Sequence, residues 1–227
     1  MIAIRNLTKT YLSGENEVHA LRGVDLDIAK GEFTAIAGPS GSGKTTLLNI
    51  IGCIDDPDAG TVTIQDREMT KLPPKVLSAF RREHLGFIFQ SFNLIPVLTA
   101  FENVCMSLDI MGVDHAQASE RTLAILKEVG LQGMENRLPT RLSGGQQQRV
   151  AIARALVKNP LVVLADEPSA NLDSATGESI LQLMKDLNQK LGTTFLFSTH
   201  DQMVMSWATR LVRLHDGLIQ SDERRGQ

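Results

Sequence analysis

The chain has 227 residues, room for one large domain or two modest ones. Its 42% apolar and 22% charged residues are an ordinary globular composition, which excludes a collagen, a coiled coil or a disordered tail. A formal net charge of -3 gives no global electrostatic drive toward nucleic acid, and none is expected as a partner.

Taken in chain order, the N-terminal stretch from Met1 to Tyr11 has no continuous apolar core and does not read as a signal peptide. Val24, Leu26 and Ile28 alternate with Asp25 and Asp27, which predicts a half-buried strand. After a turn from Ala29 to Glu32, the run Phe33-Thr34-Ala35-Ile36-Ala37 predicts a buried strand feeding a glycine-rich loop at Gly38. A helix is predicted over 45–54, with Leu47, Leu48, Ile50 and Ile51 against that strand. Cys53 and Cys105 stand far apart, with no His or Cys at metal-ligand spacing. They read as buried thiols in a reducing compartment rather than a disulfide or zinc site.

Further strands are predicted at 61–64 and 85–89. Beyond Gln90 the periodicity becomes helical, over 102–111, 115–129 and 150–157, with Leu123, Ile125, Leu126 and Val129 as an apolar stripe. Strands return at 161–165 and 194–198, the first apolar throughout, as in a parallel sheet covered on both faces. Segments 211–214 and 218–220 flank Asp216-Gly217, a hairpin turn. No stretch approaches the roughly 20 apolar residues that span a bilayer. The expectation is an intracellular α/β chain that meets a membrane only through a partner. Its core comprises residues 1–89 and 160–227, and a helical insertion occupies 90–159.

Gly38-Pro39-Ser40-Gly41-Ser42-Gly43-Lys44-Thr45 matches G-x-x-x-x-G-K-[ST] between a predicted strand and a predicted helix. The glycines let backbone N–H groups wrap a polyphosphate, and the helix presents its positive end. Lys44 is placed for the β- and γ-phosphates and Thr45 for Mg²⁺, with Thr46 beside them in the nucleotide-binding set. No G-x-G-x-x-G is present, which sets aside a dinucleotide site. The apolar run from Leu161 to Ala165 ends on two acids. Asp166 can hold Mg²⁺ at the strand's end, and Glu167 can orient or deprotonate an attacking water.

Leu142-Ser143-Gly144-Gly145-Gln146-Gln147-Gln148-Arg149 carries a Ser-Gly-Gly turn opening a helix, with a hydroxyl, free N–H groups and a helix dipole for an anion. Two readings stand: an ordinary N-cap at Ser143, or a cap for the γ-phosphate held by another subunit.

These motifs, in this order, resemble the ATP-binding subunits of ABC (ATP-binding cassette) transporters over essentially the whole chain. The resemblance implies a P-loop NTPase core, that is, a RecA-like parallel sheet plus an antiparallel β subdomain, with an inserted α-helical subdomain carrying the signature. It implies ATP and Mg²⁺ as ligands, hydrolysis of ATP, and two cassettes that sandwich two ATP molecules between P-loop and opposing signature. A transmembrane permease is the implied partner, with the chain peripheral on the inner face of the cell membrane. Residue by residue, it makes Gln90 the Q-loop glutamine that senses Mg²⁺ and water, Asp173 the D-loop aspartate, and His200 the switch histidine near the γ-phosphate. Tyr11 is then the aromatic that stacks on adenine, and Ser143, Gly144, Gly145 and Gln146 the signature contacts.

The segment from Phe89 to Val104 and the D-loop Asn171 resemble the lipoprotein-releasing and macrolide-export types, while Ser169-Ala170 stands where lipoprotein-release members often carry Thr-Gly. The charged tail at 222–227 is expected to close a stand-alone ATPase subunit; a cassette excised from a fused exporter reads the same way. A soluble cassette serving DNA repair or translation is the competing function. Such members usually carry two cassettes or a long coiled-coil insertion.

Overall fold

The structure is a computed structural model that describes residues 1–14 and 16–225; Gly226 and Gln227 of the charged tail lie outside the described residues. In chain order the elements are β1 (Ile2–Ser13), β2 (Asn16–Ile28), β3 (Phe33–Ala37), α1 (Lys44–Ile51), β4 (Ala59–Ile64), β5 (Arg67–Glu68) and α2 (Pro74–His84). There follow β6 (Leu85–Ile88), α3 (Ala100–Asp109), α4 (His115–Glu128), α5 (Gly144–Leu156), β7 (Val162–Asp166) and α6 (Ser174–Leu191). The last are β8 (Thr194–Thr199), α7 (Gln202–Trp207), β9 (Arg210–His215) and β10 (Leu218–Arg224). Two compact units result, Met1–Arg81 with Thr194–Gln227, and Arg82–Thr193.

The first unit holds an antiparallel sheet ordered β2-β1-β4-β5, and a second run ordered β10-β9-β3-β8 in which β3 pairs parallel with both neighbours. Alternation in β2 is as its sequence requires: Val24, Leu26 and Ile28 are buried while Asp25 and Asp27 face out. Every residue of β3 and β8 is buried. Phe33, Phe195 and Phe197 pack there with centroids 4.5 to 6.0 Å apart, contacts worth about 0.5–1.5 kcal/mol per pair beyond area burial. At the edge of this core Arg210 is only 6% exposed. Its guanidinium donates twice to Asp222, at 2.7 and 2.6 Å, and to Glu32 and the Asp27 carbonyl. Such a buried cation persists because each of its three nitrogens has an acceptor. Asp216 and Gly217 both take positive φ, 47° and 75°, the backbone of a two-residue hairpin between β9 and β10.

The second unit pairs β6 parallel with β7 and contains α3, α4, α5 and α6. Thr99 and Glu102 form a reciprocal capping box, so α3 starts at Ala100 and ends at Asp109, ahead of the expected 102–111. The buried face of α4 is Ala118, Thr122 and Leu126 at helical spacing, while Leu123, expected in the apolar stripe, is 47% exposed. A hydroxyl placed at i+4 between Ala118 and Leu126 is carried inward by geometry alone. Helix α1 stops at Ile51 rather than 54, because Gly52 caps it and Cys53 turns left-handed at φ 55°. Strands β1 and β5, helices α2, α6 and α7 and a 3-10 turn at Pro139–Arg141 complete the described elements.

Candidate functional site

In the first unit the phosphate-loop motif occupies the link between β3 and α1. A Cβ at Gly38 would lie 2.1 Å from the Leu214 carbonyl oxygen, and one at Gly43 would lie 2.2 Å from that of Ala20. Gly43 also caps α1 with φ 100°, a conformation open only to glycine. The loop is tied down by main chain: Gly38 N–H donates to Thr199 O at 3.4 Å, and Gly217 N–H to Ser42 O at 3.1 Å. Lys44 is buried, and its Nζ donates to the Gly38 and Pro39 carbonyls, each at 2.8 Å. The cation therefore lies folded along the loop it serves. Ser42 Oγ is buried with no hydrogen-bond partner. Ser40, Gly41 and Thr45 are exposed and Thr46 half-buried. His200 is exposed and directly follows Thr199, whose carbonyl receives the loop's first N–H. Tyr11 hydrogen-bonds Thr46 of α1 and donates its hydroxyl to Asp55 at 2.5 Å. This unit thus gathers Tyr11, residues 38–46 and His200.

The second unit gathers the rest. Ser143 caps α5 and closes a capping box with Gln146: Gln146 N–H donates to Ser143 Oγ at 3.3 Å, and Ser143 N–H donates to Gln146 Oε1 at 3.0 Å. The sequence reading of Ser143 as an N-cap is realised. Gly144 and Gly145 follow, and a Cβ at Gly145 would lie 2.5 Å from Thr176 Cγ2. Asp166 ends β7, half-buried, and Glu167 follows with φ 48°. A non-glycine residue in that region carries about 1–3 kcal/mol of strain and persists only where its surroundings hold it. Around it, the Ala170 N–H donates to the Glu167 carbonyl at 3.2 Å, and Gln148 of α5, fully buried, donates to the next carbonyl, that of Pro168, at 2.7 Å.

Asn171 in turn donates to the backbone carbonyl of exposed Gln90 at 2.9 Å. Past Gln90, Phe92 and Asn93 take positive φ, and their carbonyls accept from Arg154. Burial pulls the Arg154 guanidinium down from its usual range. Asp173 caps α6, and hydrogen bonds from the Thr176 hydroxyl and amide hold its carboxyl below the ordinary value. Gln148 carried no functional assignment in the sequence, although it sits inside the signature segment; only its burial beside Pro168 shows what it does. Lys9 and Asp55, which surround Tyr11, carry no sequence signal at all.

A strand, a glycine-bounded phosphate loop and a helix, followed far along the chain by an acid-tipped apolar strand, define a P-loop nucleotide-binding protein. A family described as "ABC transporter" matches residues 21–170. An uncharacterized ABC transporter ATP-binding protein of Methanocaldococcus jannaschii, MJ0796, is 48% identical over 99% of this chain and 97% of its own. The lipoprotein-releasing system ATP-binding protein LolD of Bacteroides thetaiotaomicron is 46% identical over 98% of this chain and all of its own. The macrolide export ATP-binding/permease protein MacB of Syntrophobacter fumaroxidans is 45% identical over 98% of this chain, which spans 31% of that larger protein. A dimeric structure of MJ0796 in a post-hydrolysis state, bound to ADP and Pi, superposes over the full length of both chains with a TM-score of 0.91 at 47% identity. The chain belongs to the ABC transporter family, as one of its ATP-binding cassettes.

Proposed function

We propose that this cassette hydrolyses ATP and that two copies close over two ATP molecules to drive a transmembrane permease. The observation that carries the reading is the loop at 38–45: two glycines with no room for a Cβ, an orphaned Ser42 hydroxyl and a lysine folded along the loop carbonyls. The relative MJ0796 supports it, as a dimer with ADP and Pi.

Lys44 leaves the Gly38 and Pro39 carbonyls for the β- and γ-phosphates, and the α1 N-terminus adds N–H donors. By family likeness Thr45, Asp166 and Gln90 are the residues that would hold Mg²⁺, and the ion would supply positive charge against the phosphate oxygens. Among the described residues no group of three or more His, Cys, Asp or Glu could hold a metal, and a nucleotide-bound Mg²⁺ needs only one or two carboxylates. Glu167 takes a proton from the attacking water, and its strained backbone fixes where the carboxylate can point. His200 steadies the γ-phosphate and Tyr11 carries the adenine. Ser143, Gly144, Gly145 and Gln146 of one copy receive the γ-phosphate bound by the other, with Asp173 beside them. A two-fold pair of identical chains gives two equivalent sites.

The likeness to LolD and MacB favours a permease of the lipoprotein-release or macrolide-export type, with the helical residues 90–159 as the docking element. Among the described residues no helix is long and apolar enough to cross a membrane, so the permease is what brings the chain to the inner face.

Glu167→Gln is expected to bind ATP, to hydrolyse it about 10²–10⁴-fold more slowly, and to accumulate as a dimer on size-exclusion chromatography. Adding Ser143→Arg returns it to monomer with ATP still bound. A double variant that dimerises as well as Glu167→Gln alone refutes the shared site. Full ATP affinity in Lys44→Ala refutes the phosphate loop.

A further inference from the structure

Tyr11 is the single tyrosine of the chain, and it is anchored far more firmly than a strand-surface aromatic needs to be. Its hydroxyl donates to Asp55 Oδ2 at 2.5 Å, and its oxygen is also hydrogen-bonded by Thr46, two residues past Lys44. Lys9, on the same strand, sets its Nζ 5.2 Å from the ring centroid and 2.9 Å from Asp55 Oδ1. That ammonium also donates to the Asp56 carbonyl at 2.6 Å, and the Asp56 amide returns a bond to Asp55 Oδ1 at 2.8 Å. One carboxylate therefore fixes both the ring's hydroxyl and the cation lying over the ring. The neighbouring Asp58 is engaged elsewhere, accepting from the Thr10 amide at 2.6 Å. Tyr11 remains 37% exposed with the Lys9 ammonium over its ring.

We propose that Asp55 and Lys9 are positioning residues for the nucleotide base. Asp55 locks the Tyr11 ring to α1, and Lys9 covers one ring face so that adenine stacks on the opposite one. The inference rests on the ATP reading of the phosphate loop. Aromatic rings attract both a cation and a stacked base through the same π face, and a ring held in one orientation binds without having to be ordered first. The phenol behaves accordingly. Burial and the bond to Asp55 push it above its ordinary value. The Asp55 carboxyl lies below its own, because the bonds from Tyr11 and Lys9 outweigh the upward pull of burial.

The test compares ATP with inorganic tripolyphosphate, which has the phosphates and no base, by calorimetry on the full chain. Asp55→Ala and Tyr11→Phe are each expected to weaken ATP about 3–10-fold, the worth of one hydrogen bond, while tripolyphosphate binding stays the same. The double variant should lose less than the product of the two. In the hydrolysis assay the change should fall on KM rather than kcat. The single tyrosine gives an independent signature, because its ultraviolet titration at alkaline pH should move down toward the ordinary phenol value in Asp55→Ala. Equal loss of both ligands, or an unmoved phenol, overturns the lock. A parent protein that holds tripolyphosphate as tightly as ATP overturns the base seat. A parent that binds neither overturns the nucleotide reading and the lock with it, and the parent alone reveals that outcome.

Discussion

The phosphate loop and the signature region are made rigid by opposite means. The loop is held chiefly by backbone: Gly38 and Gly43 lie against carbonyl oxygens where no side chain fits, and apart from the Lys44 ammonium on the Gly38 and Pro39 carbonyls its ties run from main chain to main chain. The signature region is held by side chains. Gln148 clamps the turn after Glu167, Asn171 clamps Gln90, and Arg154 clamps the left-handed pair Phe92 and Asn93. A backbone-fixed loop suits a task that never varies, wrapping a polyphosphate with N–H groups. A side-chain-fixed turn can be released and reset, which suits the proposed role of these residues in responding to the state of a bound nucleotide.

The sharpest way to break this contrast is Gly43→Ala. Its Cβ meets the Ala20 carbonyl and its backbone is left-handed, so a loss of about 2–5 kcal/mol is expected from steric overlap and conformational strain together. Thermal melting reads the loss, and near-parental stability would show that the loop has slack. Gln148→Ala should cost less, about 1–3 kcal/mol for an orphaned Pro168 carbonyl. Its larger signature is kinetic, with kcat falling while ATP affinity holds, since only the turn carrying Glu167 loosens. An equal drop in affinity would mean that the clamp supports more than that turn.

The smallest expected effect concerns acid. Hydrogen bonds from Arg210 hold the Asp222 carboxyl below its ordinary value, so its contribution to stability is complete above the unfolded carboxylate value, about 4. That contribution drains away as the pH falls through the folded value. Because Asp222 is partly exposed, the contribution is muted by solvent. Asp222→Asn should therefore melt slightly earlier than the parent at pH 7 and approach it at low pH. Parallel melting curves at every pH would assign Arg210's anchoring to Glu32 alone.

Much of this was legible in the sequence because the chemistry is local. The phosphate loop, the acid pair at 166–167 and the Ser143 cap each lie within eight consecutive residues, and the structure places the loop between a strand and a helix, the pair at the end of a strand and Ser143 at the start of a helix. What escaped was long-range or double-edged. Helix α6 has both of its punctuation marks, Asp173 as N-cap and left-handed Gly192 at its end, yet the resemblance makes Asp173 a D-loop aspartate and no helix is predicted behind it. Leu123, expected in the apolar stripe, is exposed while its neighbour Thr122 is buried, because one position along a helix turns a side chain by about 100°. Lys9 and Asp55 are 46 residues apart in sequence, and only the pairing of β1 with β4 brings their segments side by side.

The parallel pairing of β3 has a consequence for how the chain is made. Residues 33–37 lie between β8 and β9, segments that a ribosome delivers more than 150 residues later. Until then the strand feeding the phosphate loop has neither neighbour, and both of its edges are open to wrong partners. The proposed nucleotide cradle is therefore among the first sequences synthesised and among the last parts finished. A nascent chain should show no affinity for ATP until β9 has emerged, and over that interval it should rely most on chaperones, as slow, non-local pairings do.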